Sequence, residues 1–102
     1  MKNLQVNLQN RYGQTALINT AANGRHEVTH SLLAHGVNVH IKDINGRDAL
    51  MFAVEKDQAA TVKILLKCGT NRNTKDTNGH IALSIAKNNR DNDIVLLLQS
   101  IH

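Results

Sequence analysis

The chain repeats itself every 33 residues. Three segments align without gaps: NRYGQTALINTAANGRHEVTHSLLAHGVNVHIK from Asn10, DINGRDALMFAVEKDQAATVKILLKCGTNRNTK from Asp43, and DTNGHIALSIAKNNRDNDIVLLLQSIH from Asp76. In this register Gly13, Gly46 and Gly79 coincide, as do Ala16, Ala49 and Ala82, and Leu17, Leu50 and Leu83, while Gly36 matches Gly69. A unit of this length is one supersecondary element, too small to bury a core alone. Copies must therefore stack side by side and share a core across their interfaces.

Each copy has the same internal logic. A polar turn, Asp43-Ile44-Asn45-Gly46 in the middle copy, places Asn-Gly where a positive φ lets the chain reverse sharply. A short helix follows. Thr15 and Asp48 can cap it by accepting a free backbone N–H two or three residues on, which Ile81 cannot. Its apolar side is small, carrying Ala16, Leu17, Thr20 and Ala21 in the first copy, so neighbouring backbones can approach closely. A turn at Asn23-Gly24 leads to a second helix over about His26 to His35, with Val28, Leu32 and Leu33 expected inward and Gly36 ending it. Val62, Leu65, Leu66 and Gly69 repeat the pattern.

Composition agrees with closely packed helices. Aromatics are 2% of the 102 residues, only Tyr12 and Phe52, so the core must come from Leu, Ile, Val and Ala. The length suits one domain, residues 1–102, divided into a leading tail at 1–9 and copies at 10–42, 43–75 and 76–102. One cysteine, Cys68, allows no internal disulfide and no site built on two or four thiolates. Residues 1–10 carry no apolar run and no segment approaches 18 apolar residues, so an intracellular, cytoplasmic protein without a membrane span is expected. The net charge of +4 is spread over cations that never form a run, which argues against a nucleic-acid surface.

A turn ending in Gly, a T-A-L-x-x-x-A helix start and L-L-x-x-G closing the second helix together resemble ankyrin repeats, from about Val6 to the C-terminus. The resemblance implies an all-α solenoid of antiparallel helix pairs joined by β-turn loops, acting as a non-enzymatic module that binds another protein and needs no cofactor. The usual T-P-L-H tetrapeptide is altered to TALI at 15–18, DALM at 48–51 and IALS at 81–84. The bonds that Thr and His make in that motif are thereby reduced, and modest stability is expected.

The two ends differ. The last copy has Gln99 in place of Leu and carries Lys87, Asn88, Asn89 and Arg90 around its inter-helix turn, like a polar terminal cap. Before Asn10 only the tail of a preceding copy is legible, with Val6 in register with Val39 and Leu8 with Ile41. The first copy is therefore expected to leave an apolar flank open to upstream repeats or to self-association. A purely structural fragment of a longer array is one reading of this asymmetry.

His26-Glu27-Val28-Thr29-His30 matches H-E-x-x-H, in which two His one helical turn apart chelate zinc and Glu serves as general base. A small zinc hydrolase is thus the enzymatic alternative. It lacks context: the equivalent pentapeptides at 59–63 and 92–96 hold no matching ligands, and an extended motif would need Gly and His where Leu33 and Gly36 stand. His40, His80 and His102 are scattered over turn and terminal positions, and the repeat glycines precede no Lys-Ser or Lys-Thr.

By resemblance, partner contacts come from the turn tips and the free side of the first helix, which line a concave groove. Mapped here, the first copy offers Arg11, Tyr12, Gln14 and Asn23. The middle copy offers Ile44, Asn45, Arg47, Phe52, Glu55 and Lys56, and the last Thr77, Asn78, His80 and Asn89. Tyr12, Ile44, Arg47 and Phe52 lead, since aromatic and Arg side chains dominate interface energetics; alternatively, Phe52 packs between helices.

Overall fold

The computed structural model describes residues 7–100. They form six helices: α1 (Ala16–Ala22), α2 (His26–Ala34), α3 (Ala49–Glu55), α4 (Ala59–Lys67), α5 (Ala82–Asn88) and α6 (Asn92–Gln99). Corresponding helices start 33 residues apart, and the described residues contain no strand. Val6 and His102 lie outside the described residues.

The capping differences among the copies appear in the hydrogen bonds. Thr15 Oγ1 accepts from the Ile18 N–H at 3.2 Å and Asp48 Oδ1 from the Met51 N–H at 3.0 Å. Burial pushes the Asp48 carboxyl up despite that bond, so this cap works against desolvation. At α5 the missing cap is replaced from inside the helix: the Ser84 hydroxyl accepts from the Ile81 N–H and donates to the Ile81 carbonyl. Asp91 caps α6 through the Ile94 N–H, and at the other end the Arg72 guanidinium donates to the Leu98 and Ser100 carbonyls. A cation at that terminus also meets the negative end of the helix dipole.

Two layers result. In the first, α1, α3 and α5 pack tightly through Ala49, Ala53, Ala82 and Ala86, all buried. In the second, α2, α4 and α6 touch one another less and leave grooves between them. The turn tips are also linked: the Ile44 N–H donates to the Tyr12 carbonyl and the Thr77 N–H to the Asn45 carbonyl, both at 3.0 Å. Gly46 has φ +77, and a Cβ there would come within 3.0 Å of the Thr77 backbone N, so both conformation and close approach call for glycine.

The inter-helix turn is less ideal. Gly24 takes φ +67, but Asp57 and Arg90 occupy the equivalent positions at φ +61 and +58. Each costs about 1–2 kcal/mol for lack of glycine. Asp57 additionally shares a hydrogen bond with Asp91, and this contact raises its carboxyl pKa.

One inward assignment is corrected. Val28 is 44% exposed, whereas Thr29 is buried and bonds the Thr20 hydroxyl at 3.1 Å. Thr29 is the residue in register with Val62; Val28 corresponds to Thr61 and Ile94, which are buried. Val28 is exposed because no earlier helix pair among the described residues covers it. Ala16, Thr20 and Leu32 share this open end, and their equivalents Ala49, Ala53 and Leu65 are buried. At the opposite end the positions of Ile18 and Ala21 are filled by exposed Ser84 and Lys87, a polar finish.

Thr61 has a buried hydroxyl with no hydrogen-bond partner among the described residues. Its register equivalents are Val28 and Ile94. Thr61→Val keeps the shape and removes an unpaired polar group, so it is expected to raise stability by about 1 kcal/mol. A chemical melt would read this as a higher midpoint with an unchanged slope. A lower midpoint would show that the hydroxyl is satisfied in solution.

Candidate functional site

The turn that opens each copy is organised by one side chain. Asn10, Asp43 and Asp76 occupy the same register position, and each Oδ1 accepts two backbone N–H groups: Tyr12 and Gln14, Asn45 and Arg47, Asn78 and His80, at 2.9–3.0 Å. This acceptor lies outside the motifs drawn from the sequence above, although it recurs at one register position in all three copies. With each turn fixed from within and tied to the next, the tips form a continuous rigid edge whose side chains remain outside. Tyr12 is 53% exposed and Ile44 63%. The Arg11 guanidinium lies 5.9 Å from the Tyr12 ring centroid, within cation–π range.

Arg47 is the centre of the polar groove. Its Nε donates to Asp76 Oδ2 at 3.1 Å and its Nη1 to Glu55 Oε1, so it joins the second turn to the third across the repeat boundary. Burial alone would raise the Asp76 carboxyl, but the His80 and Asn78 N–H groups and the Arg47 guanidinium outweigh it and hold the pKa below the usual range. His80 Nδ1 lies 3.7 Å from the same carboxylate. Arg47 and Glu55 separate two shallow clefts, one of about 380 Å³ beside Phe52 and Asn78, the other of about 350 Å³ beside His80, Ser84 and Asn89.

The remaining candidates divide by what they already bond. Gln14 is half-buried and accepts from Asn10 Nδ2 at 3.3 Å. Asn23 donates to the Asn19 carbonyl, and Asn89 reaches the Glu55 carbonyl of the preceding copy. Lys56 and Thr77 are exposed, as are Asn45 and Asn78. Phe52 is half-buried, packed against the core, and also lines the cleft beside Asn78.

His26 and His30 lie on the opposite face, exposed and lining a groove with Lys63 and Cys68. Among the described residues no three His, Cys, Asp or Glu side chains come together as a metal-binding group. Glu27 is exposed in the first turn of α2. No helix among the described residues is long and apolar enough to cross a membrane.

The profile of ankyrin repeats in three copies matches residues 1–76. A putative ankyrin repeat protein of Acanthamoeba polyphaga mimivirus is 37% identical over 54 residues, which cover 53% of this chain and 33% of that protein. The matched stretch thus spans a third of that relative's length. Ankyrin repeats generally serve as protein–protein interaction modules and are typically non-enzymatic. Period, helix pairing and sequence match agree: the chain belongs to the ankyrin repeat family.

Proposed function

We propose that this chain is a non-enzymatic protein-binding module that holds its partner on the turn tips and the Arg47 groove. The observation that carries the reading is the combination of a backbone-locked edge with exposed Tyr12 and Ile44 side chains. Pre-ordering the backbone before contact reduces the entropy lost on association. Tyr12, Ile44 and Arg47 are the leading contacts, and Phe52 contributes by supporting the groove wall. The copies at 10–42, 43–75 and 76–102 act together as one module. The open end at Ala16, Thr20, Val28 and Leu32 supports a second role for the first copy, docking upstream repeats or another copy.

The test is recovery of co-purifying proteins from native lysate with wild type and with Tyr12→Ala/Arg47→Ala, followed by affinity measurement on the recovered partner. Loss of two hot-spot side chains is expected to cost at least about 2 kcal/mol, roughly a 30-fold weakening. Unchanged recovery from a folded double variant would reject the contact assignment.

A further inference from the structure

The face opposite the turn tips has a surface that the partner-binding reading does not use. Two grooves flank α4, one toward α2 with a volume of about 610 Å³ and one toward α6 of about 460 Å³. Their floors are apolar, with Leu33 and Ile64 in the first and Leu66 and Leu97 in the second. Lys63 and Lys67 line both grooves from the crest between them. Neither groove is lined by an Asp or Glu, α4 carries no acidic residue, and neither Lys forms an ion pair among the described residues.

We propose that this face is a second docking site, for an acidic amphipathic helix of another protein. The charge pattern specifies the occupant. Lys63 and Lys67 lie one helical turn apart, so they match two carboxylates at the same spacing on a facing helix. Apolar side chains flanking those carboxylates drop into the grooves on either side and cover floors that water otherwise wets. Nucleic acid fits this surface less well: neither Tyr12 nor Phe52 lines the grooves, the only rings there are the His26 and His30 imidazoles of one groove, and the apolar floors gain nothing from phosphates.

The probe is a dye-labelled, helix-forming peptide of about 15 residues, built from Leu, Ala and Glu, with Glu pairs about one turn apart on the apolar edge. Fluorescence anisotropy against the full chain should show saturable binding that weakens about tenfold or more in Lys63→Glu/Lys67→Glu. Both lysines are exposed, and circular dichroism checks that the variant stays folded. Tyr12→Ala/Arg47→Ala should bind the peptide like wild type, which separates this site from the turn-tip groove. Equal binding of a peptide with Ser in place of Leu would reduce the effect to bulk charge and overturn the proposal. Absence of peptide binding, or tighter lysine-dependent binding of anionic vesicles or duplex DNA, would overturn it as well.

Discussion

Leu65→Ala should lower the unfolding free energy by about 3–4 kcal/mol, and Leu32→Ala, the same substitution at the same register position, by about half as much. Leu65 is fully buried in α4, with a helix pair on either side, and truncation leaves a cavity that neighbours cannot collapse to fill. Leu32 is only half-buried, because α2 is the outermost second helix among the described residues. Truncation there deletes surface that is partly wet already. A domain of this size is stabilised by about 5–15 kcal/mol, so the Leu65 variant loses a large share of its margin. Urea melts at matched slope measure both. Equal losses would show that Leu32 is covered in solution, and sedimentation across a concentration range would then separate self-association from a cover supplied within the chain.

That comparison also explains which features were legible in the sequence. Helix starts, the Asn-Gly turns and the Thr15 and Asp48 caps depend on residues a few positions apart, and they appear where the pattern places them. Burial of Val28 depends on whether another helix pair lies beside it, which residue type does not encode. Matching Val28 to Val62 by type hides the buried Thr29, which is the true register partner of Val62, whereas register too would place Val28 inward with Thr61 and Ile94. The Asn10, Asp43 and Asp76 series was available in the alignment, and its role follows from the short side-chain acceptors that such turns favour. The Arg47 link to Glu55 and Asp76 was not, because contacts eight and 29 residues away follow no single period. Lys63 and Lys67 are equally plain in sequence, but their setting between two apolar grooves emerges only when three repeats are stacked.

Asp76→Ala should destabilise the chain by about 2–4 kcal/mol, and Asp76→Asn by about 1 kcal/mol or less. The carboxylate makes two kinds of contact that the pair of variants separates. One oxygen holds the Asn78 and His80 N–H groups, and Asn10 does the same work in the first copy with an amide oxygen. Asn at 76 therefore keeps the turn and loses only the contact to Arg47, since its amide NH2 stands where the accepting Oδ2 was. Ala loses both, leaving backbone donors and a half-buried guanidinium without their acceptor. The pH dependence has a definite sign. Because the folded-state pKa of Asp76 is depressed, its contribution is fully present above the ordinary value of 3.8 and is lost as pH falls through the lower folded-state value. Asp48, raised by burial, runs the other way: its contribution is present below 3.8 and is lost as pH rises through its higher folded value. Asp76→Asn should consequently remove part of the acid-side fall in stability, whereas Asp48→Asn should not. The functional consequence follows from Arg47. Freed from Asp76, it can still pair with Glu55 but no longer bridges the second and third turns, so Asp76→Asn is expected to weaken partner binding at the turn tips while the acidic peptide at Lys63 and Lys67 binds unchanged. If Asp76→Asn matches wild type in both stability and partner affinity, the aspartate's charge does not hold Arg47 in place.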